Sequence, residues 1–209
     1  MSGTPITRPS AVEVTMWFDP VCPFSWNTAR WLTDAADKTG FEIDWELMSL
    51  AVLNEGRELP PPQRARMGDS RRVGRLMAGI RREMGAPGLG AAYLAFGELY
   101  FDQSAVVDDA LVDHVLATVA ARDTSGAALS DASLDEFVRQ SHEAGQEALG
   151  ETGGSPILRI DGRTFFGPVL TALPAPETST ALFEAVAALA AIPQFTQLQR
   201  PRTAPLHPE

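Results

Sequence analysis

Trp17-Phe18-Asp19-Pro20-Val21-Cys22-Pro23-Phe24-Ser25-Trp26 joins two different hydrophobic patterns. On its N-terminal side, Val12, Val14, Met16 and Phe18 recur with the period of two expected of a strand over Ala11 to Asp19. On its C-terminal side, Trp31, Leu32, Ala35 and Ala36 recur at helical spacing between Phe24 and Thr39, and Gly40 supplies a stop. Pro23 fits the first helical position, where its missing N–H costs nothing. Cys22, the only cysteine of the chain, therefore sits at a strand-to-helix turn. Unpaired backbone N–H groups and the helix dipole favour the thiolate there, so the expectation is a thiol pKa lowered from about 8.5 to roughly 3.5–7.5. Without that context a lone cysteine reads as a small buried hydrophobe.

Working outward, Phe41 to Leu50 carries Phe41, Ile43, Trp45 and Leu47 on one face and completes a βαβ unit. A proline-rich loop, Asn54 to Pro62, then breaks the pattern. Four helices are expected next: Arg64 to Met84, closed by Gly85-Ala86-Pro87-Gly88; Ala91 to Phe101; Ala110 to Arg122, behind Asp108-Asp109; and Leu134 to Leu149, behind Ser130-Asp131-Ala132-Ser133. No strand signal occurs between Ala51 and Gly150. Pro156 to Asp161 and Arg163 to Leu170 then alternate around Asp161-Gly162, a strong hairpin turn. A helix over Thr180 to Ile192 follows, and the tail from Arg200 to Glu209 is expected to be poorly ordered.

Removing the helical block leaves βαβ plus ββα, the thioredoxin arrangement. The fold class is thus α/β: a thioredoxin fold with an all-helical insertion. The expected divisions are 11–53 and 151–195 for the two halves of the thioredoxin fold, 54–150 for the insertion, and 196–209 for a tail. The chain returns to the same sheet, so these form one composite structure.

The composition excludes several classes. The 209 residues carry a net charge of −10 with pI ≈ 4.8, which disfavours a nucleic-acid partner. One cysteine cannot form an internal disulfide framework. Met1 to Ser10 lacks the apolar core of a signal peptide and no apolar run approaches a membrane span, so a cytoplasmic protein is expected. His114, His142 and His207 are scattered without a second ligand at metal spacing, and no metal is expected. Arg71, Arg72, Arg75, Arg81 and Arg82 read as a solvated helix face, or as partners for the carboxylates of an acidic thiol. Gly85 to Gly90 follows no strand and is a turn, not a phosphate loop.

Three further positions bear on the chemistry. Ser25 occupies the place of the second sulfur in a C-x-x-C motif; its hydroxyl can donate to a thiolate but cannot resolve a mixed disulfide. If Cys22 is catalytic, the second thiol must come from outside; otherwise Ser25 is an ordinary first-turn residue. Ser155-Pro156 is either a turn element or, in the thioredoxin arrangement, the cis-proline pair opposite the cysteine. Phe24 is the aromatic best placed to face a substrate, whereas Trp17, Phe165 and Phe166 read as core.

The run from Phe18 to Trp26 resembles the active-site segment of DsbA-like thioredoxin-fold proteins with a helical insertion. Within these it is similar to the actinobacterial mycothiol-dependent nitroreductase group. Met48-Ser49-Leu50-Ala51-Val52-Leu53-Asn54-Glu55, Ser141-His142-Glu143-Ala144-Gly145 and Phe165-Phe166-Gly167-Pro168-Val169-Leu170 extend the likeness over nearly the whole chain. The resemblance implies an insertion over the active site, mycothiol or glutathione as thiol co-substrate, and reduction of disulfides or nitroaromatics. It makes Cys22 the attacking sulfur, Pro156 the cis-proline and Asn54 a pocket residue. Pro23, Phe24 and Ser155 are expected beside Asn54 around the bound thiol. Members with C-P-W-C differ from this chain at Phe24 and Ser25. The C-P-x-S pattern also resembles kappa-class glutathione transferases and the related isomerases, in which Ser25 would activate a bound thiol and Cys22 would stand by. A catalytically weak peptide-binding module is the third alternative. The expected partners are a small thiol and a small substrate, with no nucleic acid and no membrane, in a monomer or homodimer.

Overall fold

The computed structural model describes residues 12–201. The expectations for Met1 to Ser10, for a strand start at Ala11 and for the tail beyond Pro201, His207 included, lie outside them. Strand β1 (Val14–Phe18) leads through the cysteine turn into α1 (Pro23–Thr39), and β2 (Ile43–Leu47) follows. Gly40 ends α1 at φ 83, a left-handed conformation open to glycine, and its N–H bonds the Ala36 carbonyl. After the single turn α2 (Leu50–Leu53) come the long α3 (Pro61–Gly97), a π-helical turn (Glu98–Asp102), α4 (Asp109–Val119) and α5 (Asp135–Leu149). The hairpin β3 (Ile157–Ile160) and β4 (Arg163–Phe166) turns at Asp161 and Gly162, both with positive φ, and α6 (Ser179–Ala190) closes the fold.

The sheet has the order β2-β1-β3-β4, with β1 parallel to β2 and antiparallel to β3. All five residues of β1 are buried, because both faces of the sheet are covered. The register aligns Met16 with Trp45 and Leu158, and this face meets α1, α6 and the second half of α3. On the other face Trp17, Met48 and Ile157 form a smaller cluster under Ala148 and Leu149 of α5. The last helix of the 54–150 span thus lies directly on the sheet. Phe166, read as core, is 45% exposed on β4, which is the edge strand of the sheet among the described residues.

Gly85-Ala86-Pro87-Gly88 separates two helices within the α3 span, in line with the turn signal: Gly85 leaves helical geometry (φ 72, ψ −172) and ends the first, and the second begins with Pro87 in its first turn, where a missing N–H does no harm. The second helix approaches β2 through Gly90 and α1 through Gly97. A Cβ on either would fall within about 2.4 Å of the Trp45 or Trp26 ring. Between them Tyr93 stacks on Phe18, with ring centroids 3.9 Å apart. Gly97→Ala is therefore expected to overpack this contact and cost about 1–3 kcal/mol, read as a lowered urea midpoint with an unchanged slope.

Four of the arginines singled out on α3, Arg71, Arg72, Arg75 and Arg81, are partnered within the chain. Arg75 grips Asp135 of α5 through two bonds of 2.6 and 2.7 Å, and Arg81 reaches Glu46 of β2 at 2.6 Å. Arg71 pairs with Glu55 and Arg72 with Asp69. Glu83 accepts the backbone N–H groups of Arg122, Asp123 and Thr124, which hold its carboxyl down to about 2.

Candidate active site

The end of β1, the start of α1 and the Ser155-Pro156 turn before β3 meet at Cys22. The Cys22 N–H bonds the Asp19 carbonyl at 3.1 Å, closing the turn, and Cys22 then stands at the N-cap of α1 with Pro23 behind it. The Ser155–Pro156 peptide is cis, as is a second bond, Gly167–Pro168. The Cys22 thiol donates to the Ser155 carbonyl at 3.4 Å. Ser25 is fully buried, and its hydroxyl lies 2.5 Å from the Ser155 hydroxyl, which also accepts the Asp19 N–H at 2.8 Å.

The electrostatics correct one expectation. Cys22 is 4% exposed, and its pKa is raised, not lowered. Burial is the largest cause, because a thiolate there loses its hydration; the nearby Asp19 carboxylate acts in the same direction. The helix-start donors are present, since the Ser25 and Phe24 N–H groups and the Ser25 hydroxyl all favour the thiolate, but burial outweighs them. The resting form is a buried thiol engaged with the Ser155 carbonyl.

Asp19, which the sequence offers only as part of a Asp-Pro break, is the hub beneath this turn. It is fully buried. Oδ1 accepts the Val21 N–H at 2.9 Å; Oδ2 accepts the Leu50 N–H at 2.6 Å and the Ser70 hydroxyl at 2.5 Å. One carboxyl thus ties the cysteine turn to the first turn of α2 and to α3. Burial raises its pKa, and these hydrogen bonds oppose the rise. Ser70 extends the network to the Ala51 N–H and to the Ser49 hydroxyl, the N-cap of α2. Tyr93 approaches from α3, its buried hydroxyl without a hydrogen-bond partner among the described residues and its pKa pushed well above the usual tyrosine value by burial and then by the facing Cys22 and Asp19.

Of the residues expected around a bound thiol, Pro23 is buried at the start of α1 and Phe24 is half-buried beside the sulfur. Asn54 stands at the other end of α2, where its side chain is engaged by the Leu50 carbonyl, Met67 Sδ and Arg57. The other segments quoted for the resemblance brace the site. Ser141 Oγ donates to the Leu47 carbonyl and accepts the Leu47 N–H, and His142 Nδ1 accepts the Ser49 N–H. Burial lowers the His142 pKa, in keeping with a neutral ring accepting at Nδ1. A Cβ at Gly145 would sit 3.0 Å from the Trp17 ring, so this position takes α5 close to the sheet. Thr28 and Asn27 of α1 bond the Pro168 and Leu170 carbonyls, fixing the loop after β4.

Among the described residues no group of three or more His, Cys, Asp or Glu is placed to hold a metal ion, and no helix is long and apolar enough to cross a membrane.

Comparison with known proteins agrees with the fold. The chain shares the fold of a 2-hydroxychromene-2-carboxylate isomerase at TM-score 0.56 and 17% identity, over 84% of this chain and 95% of the other. It shares it equally with the cytosolic disulfide reductase DsbM from Pseudomonas aeruginosa, solved with GSH, at TM-score 0.55 and 16% identity over 84% and 99%. The Mycobacterium tuberculosis protein Rv2286c (strain ATCC 25618 / H37Rv) is 32% identical over 199 residues, covering 91% of this chain and 82% of its own length. The profile described as "Rv2466c-like: Mycothiol-dependent nitroreductase Rv2466c" matches residues 21–200, from the cysteine turn to beyond α6, and the chain belongs to that Rv2466c-like family of thiol-dependent oxidoreductases.

Proposed function

We propose that the protein is a monothiol oxidoreductase of the cytoplasm, in which Cys22 attacks a disulfide or another small oxidised substrate and mycothiol resolves the adduct. The observation that carries this reading is the meeting of Cys22 with Ser155 at the cis-proline turn, with a serine at position 25 where a resolving sulfur would stand. For a disulfide R–S–S–R′ the Cys22 sulfur bonds one sulfur as R′S⁻ departs, and the proton lost from Cys22 ends on R′SH. A low-molecular-weight thiol, attacking as its thiolate, then bonds the R sulfur. This breaks the Cys22–S bond, returns Cys22 as the thiol and releases a new disulfide. The cycle consumes one thiol, releases R′SH and leaves R in a mixed disulfide with that thiol; a second thiol equivalent attacking the mixed disulfide releases RSH and the oxidised thiol, so that two thiols are oxidised for each disulfide reduced and the chain itself ends unchanged.

Phe24 and Pro23, beside the sulfur, and Ser155, through its backbone, are the groups offered to the bound thiol, with Asn54 at the far end of α2. The family description names a nitroreductase, and a nitroaromatic is a candidate substrate for this chain on the same site. Both side chains are buried, and the engagement of the Ser25 hydroxyl with the Ser155 hydroxyl supports Cys22 over Ser25 as the group that meets the reacting sulfur. Ser25→Ala separates these readings. With mycothiol as reductant, the variant is expected to keep its adduct-forming chemistry and to lose about tenfold in rate, the value of one hydrogen bond to a charged sulfur. Complete loss in Ser25→Ala beside full activity in a Cys22 variant would assign the working sulfur to the bound thiol. A protein that turns over neither disulfides nor nitroaromatics would instead be a binding module.

A further inference from the structure

Among the described residues Phe166 is the one aromatic side chain left exposed, at 45%. A single apolar residue on a strand edge calls for no explanation by itself. What sets this ring apart is the backbone it lies beside. A Cβ on Gly154 would stand 3.3 and 3.6 Å from the ring atoms Cε2 and Cζ, so the edge of the ring faces bare main chain. Gly154 is joined to Ser155, whose carbonyl accepts the Cys22 thiol at 3.4 Å. The ring thus meets the chain one residue step, about 3.8 Å along the backbone, before the residue that touches the sulfur.

This stretch is held from both sides. The Gln146 side chain of α5 donates to the Gly153 carbonyl at 3.2 Å and accepts the Gly153 N–H at 2.7 Å, which satisfies both backbone groups of that residue. A Cβ on Gly153 would collide with Leu149, so α5 and the glycine pair are in close contact. On the other side Phe166 pairs with Ile157 across the hairpin, and the Gly167 N–H carries the pairing on to the Pro156 carbonyl at 2.9 Å. Ile157 lies in the cluster under α5, and its register partner Phe166 projects to the same face of the sheet. Two glycines and a phenyl ring therefore make a fixed ledge beside the cysteine turn. Such a ledge suits a flat ring, which stacks on a phenyl group at centroid separations of about 4.5–7 Å.

We propose that Phe166 is a specificity-determining residue of the Cys22 site, its ring stacking with an aromatic group that the substrate carries next to the atom Cys22 attacks. Aromatic disulfides are then taken in preference to disulfides without a ring. The proposal rests on the reading of Cys22 as the working sulfur and adds to it the chemical class of the substrate.

The test is the first half-reaction alone, in which the Cys22 sulfur bonds one sulfur of a disulfide probe, the other leaves as a thiol and no reductant is present. The full chain is mixed with 4,4′-dithiodipyridine, an uncharged aromatic disulfide, or with bis(2-hydroxyethyl) disulfide, which has no ring. Cys22 is the only cysteine, so the adduct forms at one place. Phe166→Ala is expected to slow the reaction with the aromatic probe about three- to tenfold, the worth of one aromatic stacking contact. Its reactions with the ringless probe and with iodoacetamide are expected to match wild type, because Cys22 itself is unchanged. Phe166→Tyr is expected to keep the wild-type preference. Phe166→Leu keeps apolar bulk on the strand should the alanine variant not fold, and is expected to lose the preference in the same direction. An unchanged ratio of the two probe rates in Phe166→Ala or Phe166→Leu overturns the proposal. So does an equal slowing of both probes, which would make the ring structural, or would assign it to self-association if the mass in solution also falls by half. A failure of the functional reading would appear separately, as mycothiol-dependent turnover that survives loss of Cys22.

Discussion

Cys22→Ser protein is expected to fold as wild type does and to lose at least about a thousandfold in turnover, the scale of removing a covalent nucleophile. The serine hydroxyl takes up the same space at the N-cap of α1 and can still donate to the Ser155 carbonyl, so little packing or hydrogen bonding is lost. What disappears is the sulfur, and the sequence holds no second cysteine to replace it. Thermal unfolding and steady-state reduction of a disulfide substrate by mycothiol, measured on the same preparations, separate the two effects. A Cys22→Ser protein that unfolds with wild type yet retains a large fraction of its turnover would place the chemistry on the sulfur of a bound thiol.

Asp19→Ala is expected to produce the largest loss of stability of any single change at the site, about 3 kcal/mol or more. The substitution strands the N–H groups of Val21 and Leu50 and the hydroxyl of Ser70 in a fully buried position. Each unsatisfied buried donor costs about 1–3 kcal/mol, and relief from burying a carboxylate returns part of the sum. Because Asp19 joins the cysteine turn to α2 and α3, the loss should appear as a lowered denaturant midpoint together with faster exchange of the Val21 and Leu50 amides. The sign of its pH dependence is also fixed. The folded-state pKa lies above the unfolded value, so the native state binds the proton more tightly, and the favourable contribution of this group is present below the unfolded pKa. It is lost as pH rises through the folded pKa. In Asp19→Asn that loss on raising the pH should vanish, which parallel urea titrations at several pH values would detect.

The sequence exposes features whose causes are local. The strand-to-helix turn at Cys22, the left-handed stop at Gly40 and the Asp161-Gly162 hairpin each depend on a few adjacent residues, and each stands where its signal lies. Pro156 was legible because the chain order, not the dipeptide, placed it opposite the cysteine. Asp19 was hidden because its partners Leu50 and Ser70 are 31 and 51 positions away and hydrophobic periodicity says nothing about a polar contact across that distance. The direction of the Cys22 pKa is not legible in the sequence for a related reason. A helix start is visible in sequence, whereas the depth to which Tyr93 and its neighbours on α3 bury the turn is set by packing between segments far apart in the chain. The break at Gly85 is local too, one positive φ dividing two helices, whereas the seat of the second helix is not, because it depends on Trp45 of β2 and Trp26 of α1, which Gly90 and Gly97 meet.

The central claim, one working sulfur resolved from outside, is tested most directly by intact-protein mass spectrometry after incubation with oxidised mycothiol. The expected result is a gain of a single mycothiol unit per chain, located on the peptide that carries Cys22 and discharged by free mycothiol to restore the starting mass. Continued turnover with no adduct on Cys22, or an adduct that free mycothiol does not remove, would contradict it.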